Sequence, residues 1–145
     1  MPPPWLLLLY KISPEPTSRR VYIWRKLKRL GALLLHDAAW VLPDTPRTRE
    51  QFQWLAAEIA EMGGEALLWE ARLALGGPEE ALRQCFVEQA DDMYRAILKE
   101  LEKDDCDLAA LSQRYQQARQ EDYFQSPLGE QVREALVSAR GGRGK

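Results

Sequence analysis

Apolar residues follow two regimes along this chain: short continuous runs alternating with stripes at helical spacing as far as residue 75, then helical stripes alone. The first run, WLLLLYKI at 5–12, has strand length and no alternation. It predicts a central strand buried on both faces. Met1 to Pro4 reads as a disordered or polyproline lead-in. SPEPTS at 13–18 reads as a loop, because Pro14 and Pro16 block regular pairing and Thr17 or Ser18 can cap a helix. SRRVYIWRKLKRLG at 18–31 then winds into a helix over 18–30. Val21, Ile23, Trp24, Leu27 and Leu30 fall in one arc that must pack on something. Arg19, Tyr22, Arg25, Lys26 and Arg29 fall in the opposite arc. Arg20 and Lys28 interrupt the apolar side, where their long stems can lie over it with the charge in water. Gly31 stands where a helix ends with φ > 0.

ALLLHDAAWVLP at 32–43 predicts two short strands, 32–36 and 39–42, or one strand broken by a bulge at His36-Asp37. Thr48 and Gln51 have the spacing of a capping box. The helix that follows, over about 48–62, aligns Phe52, Leu55, Ala56, Ile59 and Met62 and stops at Gly63-Gly64. EALLWEARLA at 65–74 predicts a last strand, and Gly76-Gly77-Pro78 a linker. Beyond it strands disappear. Pro78 suits a first helical position, with Glu79 and Glu80 favourable behind it. Leu82, Phe86, Ala90, Met93, Ile97 and Leu101 keep helical period to about Lys103. After a turn at Asp104-Asp105, Leu108, Leu111, Tyr115 and Ala118 mark a second helix, antiparallel to the first. Ser126-Pro127 opens a final helix with Leu128, Val132 and Leu136, and ARGGRGK at 139–145 reads as a loose basic tail.

The order strand, helix, strand, strand, helix, strand predicts an α+β fold. It is a ferredoxin-like βαββαβ sandwich over residues 1–76 with both helices on one face of an antiparallel sheet. Residues 77–145 add an α-helical extension, a helical hairpin plus a final helix, expected to pack on the first part as one unit. A chain of 145 residues with 46% apolar and 29% charged residues has the composition of a soluble globule with a sizeable core. The apolar run at Trp5–Tyr10 is too short to cross a membrane and lacks a signal-peptide layout, so a cytoplasmic location without membrane contact is expected.

Charge changes the picture most. The net −2 divides into nine Lys/Arg against four Asp/Glu over residues 1–50 and eleven against eighteen over 51–145. The whole-protein field would not attract nucleic acid, but the N-terminal face alone can. Arg19, Arg20, Arg25, Lys26, Lys28 and Arg29 share one helix with no anion to offset them. A solvated helix face is the plain reading of such a run, yet an unneutralised cluster carries self-repulsion that mixed surfaces avoid. Cys85 and Cys106, in predicted helices and without CxxC or Cys/His spacing, read as buried free thiols. A single histidine leaves neither a zinc site nor a Ser-His-Asp triad its usual parts. His36-Asp37 can sense an anion or pH, or simply form a turn; the turn is preferred. The run Asp104-Asp105-Cys106-Asp107 lacks EF-hand spacing and is better explained as a helix-capping turn.

WLLLLYKI, the block PxSRRVYIWRKLKRLGALLLHDAAWVLP and RTREQFQWLAAEI together resemble the N-terminal domain of the chromate-resistance regulatory protein family ChrB, strongly over residues 5–72. The resemblance implies a cytoplasmic bacterial protein that regulates a chromate-efflux operon. Proteins of that family usually continue into a second domain, whose properties do not carry over. The block is also similar to the central domain of the phenylacetate-pathway repressor PaaX and to small ferredoxin-like CRISPR-adaptation nucleases. Both relatives form dimers, which with the charge split implies a homodimer. Those nucleases hold a divalent cation on an Asp at the end of the first strand. Here that strand ends Tyr10-Lys11-Ile12, and a lysine repels Mg²⁺, so no catalytic residue, metal or cofactor is expected. The basic helix then has three uses. It can lie along DNA phosphates, hold an oxyanion such as chromate in Arg forks, or dock on an acidic protein surface, including a second copy. No helix-turn-helix pattern supplies base readout. Trp24 and Tyr22 can stack on bases, although Trp24 is placed in the apolar arc and expected in the core.

Overall fold

The computed structural model of the chain describes residues 4–77 and 79–143, so the expected helix start at Pro78 and most of the lead-in lie outside the described residues. The elements are β1 (Trp5–Lys11), α1 (Thr17–Arg29), β2 (Leu33–Leu35), β3 (Ala39–Pro43), α2 (Pro46–Glu61), β4 (Glu65–Ala71), α3 (Glu79–Leu101), α4 (Leu108–Glu121) and α5 (Pro127–Arg143). They form two compact units that divide between Gly76 and Gly77. The architecture is α+β, as the patterning predicts.

In the first unit one four-stranded sheet runs in the order β2-β3-β1-β4, every neighbouring pair antiparallel. The long apolar run forms β1, an inner strand. Leu8 stands opposite Trp40 on one side and Leu68 on the other. Side chains alternate across a strand, so Leu6, Leu8 and Tyr10 share a face. That face carries the helices: Tyr10 lies beside Arg20 of α1, and Glu70, opposite Leu6, pairs with Arg49 of α2 at 2.8 Å. Both helices therefore cover one side of the sheet. Leu6, Leu8 and Leu42 from the strands, Ile23 and Leu27 from α1, and Phe52, Leu55 and Ile59 from α2 are buried. On the other face Leu67 and Trp69 are exposed.

Several local expectations need correction. No side chain caps α1; its N-cap is Pro16, so neither Thr17 nor Ser18 plays that part. The capping box of α2 is Thr45 with Thr48, not Thr48 with Gln51. The Thr45 hydroxyl accepts from the Thr48 amide at 3.1 Å, and the Thr48 hydroxyl accepts from the Thr45 amide at 2.9 Å. Pro46 follows at the first position, where its fixed φ suits a helix and its missing N–H costs nothing. β4 stops at Ala71, three residues short of the expected 74. His36 and Asp37 both have positive φ, 52° and 59°, and Ala38 N–H donates to the Leu35 carbonyl at 3.0 Å. The pair is the turn of the β2–β3 hairpin.

The second unit is a three-helix assembly. Ala90, Tyr94 and Ile97 of α3, Leu111, Tyr115 and Ala118 of α4, and Val132 and Leu136 of α5 form its core. Asp107 caps α4, its Oδ1 accepting from the Ala110 amide at 3.2 Å, so the acidic run is a capping turn as expected. Cys106 is buried but lies in the loop before α4, and Cys85 is exposed rather than buried. The expected loose tail is helical as far as Arg143.

Candidate nucleic-acid interface

Burial fixes how α1 sits. Only Ile23 and Leu27 are fully buried, with Leu30 half-buried beyond them. These lie at i, i+4 and i+7, a narrow stripe. Val21 and Trp24, expected in the core, are 38% and 51% exposed. The contact stripe is thus turned away from them, toward the side that bears Arg19 and Lys26.

That rotation divides the six cations. Arg19 Nη1 donates to the Met62 carbonyl at 3.0 Å, closing the C-terminal end of α2. Tyr22 donates its hydroxyl to Glu58 Oε2, and this bond is the main cause raising its pKa above 10.0. Lys26 Nζ sits 5.5 Å from the Tyr22 ring centroid. Arg19, Tyr22 and Lys26 thus form the flank toward α2, not part of a free basic arc. Lys28 Nζ stands 5.9 Å from the Trp24 ring centroid, within cation–π reach. Arg20 and Arg25 line an open groove of about 450 Å³ with Tyr10, Thr17, Val21 and Trp24. Burial raises the Tyr10 pKa above 10.0, and the Arg20 charge opposes that shift. Arg29 is exposed in the last turn, where with Lys26 and Lys28 it favours the helix C-terminal dipole.

Among the described residues no carboxylate forms an ion pair with Arg20, Arg25 or Lys28. They share the outer surface with an exposed indole, an arrangement that supplies both phosphate neutralisation and a stacking ring. For Trp24, sequence reasoning offers base stacking but prefers the core, because an indole between Ile23 and Leu27 reads as core; its 51% exposure corrects that preference. His36 is exposed in its turn, away from this cluster along the chain. Lys11 ends β1 opposite Glu65, and no group of three or more His, Cys, Asp or Glu able to hold a metal occurs among the described residues. No helix is long and apolar enough to cross a membrane, again among the described residues.

These features define an α+β unit that presents a basic, aromatic helix on one side of its sheet. A family model described as "Protein ChrB, N-terminal" matches residues 20–109, and the chain belongs to that family. It is similar to Protein ChrB of Cupriavidus metallidurans, with 33% identity over 82 residues, which is 57% of this chain and 25% of that protein. The match thus spans a quarter of its relative. No solved structure matches the chain.

Proposed function

We propose that this chain is a non-enzymatic regulatory module of bacterial chromate resistance that contacts DNA through the outer side of α1. Membership of the ChrB N-terminal family supports the setting. The observation that carries the DNA reading is the set Arg20, Arg25 and Lys28, exposed and without a carboxylate partner among the described residues. Lysine and arginine release condensed counterions when they neutralise phosphates, with a slope near −0.9 in log affinity per log salt for each phosphate. Three such contacts give a slope of roughly −3 per chain. Replacing Arg25 and Lys28 by Ala should weaken binding on every sequence and flatten the slope by about 2. Affinity measured over a salt series checks this, and an unchanged slope removes α1 from the interface.

A second reading has its own observation: Thr17, Arg20 and Arg25 converge on one groove with Tyr10. Arginine forks suit tetrahedral oxyanions. On that reading chromate or sulfate raises the melting temperature of the wild type and not of the Arg20→Ala/Arg25→Ala variant.

A further inference from the structure

We infer that the helix layer of the first unit binds nucleic acid through unpaired bases, stacking them on Trp24 and Trp54, in preference to an intact duplex; this rests on the DNA-contacting role of α1. Trp54 of α2 is 58% exposed and Trp24 of α1 is 51% exposed. A tryptophan is among the largest apolar side chains, and its flat ring is a face on which a base can stack. Trp54 stands one turn before Glu58, the residue that accepts the Tyr22 hydroxyl. Residues four apart share a helix flank, so Trp54 lies on the side of α2 that faces α1.

The seam between the two helices therefore carries an indole from α2 and, from α1, Tyr22 with Lys26 over its ring. On the far side of α1, Trp24 with Lys28 beside it and the Arg20/Arg25 groove repeat the same combination. Aromatic faces interleaved with cations are what a single strand uses. Its phosphates meet the cations and its bases offer free π-faces. Inside a duplex those faces are already stacked on one another, and an exposed indole on a helix gains nothing there.

The test uses the full chain and two probes at one salt concentration: an oligo(dT) of about 15 nucleotides, the length covered by the larger site sizes of single-strand binders, and a mixed-sequence duplex of equal length. Oligo(dT) should quench tryptophan fluorescence and bind at least tenfold more tightly than the duplex. Trp24→Ala and Trp54→Ala should each weaken oligo(dT) binding about tenfold, as loss of one stacked base does, and Trp54→Ala should leave duplex binding unchanged. Trp24→Phe should recover most of the loss. Trp69→Ala, on the opposite face of the sheet, should alter neither. Equal or tighter duplex binding, or oligo(dT) binding indifferent to both Ala variants, overturns the inference. In that case the role of α1 still stands if the Arg25/Lys28 variant loses duplex affinity. If neither probe binds, both readings fall together.

Discussion

Tyr94 is fully buried in the second unit, and its hydroxyl donates to Asp122 Oδ2 at 2.8 Å. Asp122 in turn accepts from the Ser126 amide at 3.0 Å, so one carboxylate ties α3 to the turn between α4 and α5. Burial first, then the hydrogen bond to Asp122, pushes the Tyr94 pKa well above its ordinary 10.0. The neutral phenol is thus favoured in the fold. Its contribution is present in full below pH 10.0 and is lost progressively as pH rises above that value toward the folded pKa. Two outcomes are expected. In a spectrophotometric titration of the native protein, one tyrosine ionises after the rest and only with unfolding. Tyr94→Phe removes that late step and costs about 1.5–3 kcal/mol at neutral pH, the range for a hydrogen bond to a charged group. A variant as stable as the wild type would show the bond to be dispensable.

At the level of elements, α1 shows what a linear pattern reveals and what it hides. That the stretch is a helix, and that it carries six cations, is legible: the apolar spacing and the absence of acids need no partner to be seen. Which residues face the core is not. Ile23, Leu27 and Leu30 fit two arcs equally well, one that takes in Trp24 and one that takes in Arg19. The choice is made by Glu58 and the Met62 carbonyl, 36 and 43 residues further along, which bind Tyr22 and Arg19. The sheet was more legible, since continuous apolar runs of strand length sit where β1, β2, β3 and β4 form. Their ends were less so, as was the α2 cap, because Pro46 reads as a break as readily as a first helical residue. The rotation of α1 is measurable. Leu27→Ala should cost about 2–5 kcal/mol through lost burial and a cavity. Trp24→Ala, despite removing a larger side chain, should stay within about 0.5 kcal/mol, as surface changes usually do. Urea unfolding of the two variants decides the matter, and a large loss for Trp24→Ala would restore it to the core.

For the molecule as a whole, the charge is concentrated rather than spread. Residues 1–76 hold ten Lys/Arg and eight Asp/Glu, and six of those ten cations lie in α1; residues 77–145 hold ten against fourteen. A basic helix on an otherwise acidic chain favours local phosphate contact over long-range attraction, which is what the proposed DNA contact through α1 needs. The two units also have separate cores, one between sheet and helices and one among three helices. The stretch between them, Arg72 to Gly77, is exposed throughout, and Leu75 is 92% exposed. All five tryptophans, at positions 5, 24, 40, 54 and 69, belong to the first unit, whereas the regular elements of the second, among the described residues, are all helices. Tryptophan fluorescence therefore reports the first unit alone, and far-UV ellipticity weights the second heavily. If each core unfolds by its own cooperative transition, urea curves from the two probes should not coincide. A cut by thermolysin at Leu73 or Leu75, in the exposed connection, should then leave the fluorescence transition in place. Coincident curves that shift together after the cut would instead make the chain a single cooperative structure.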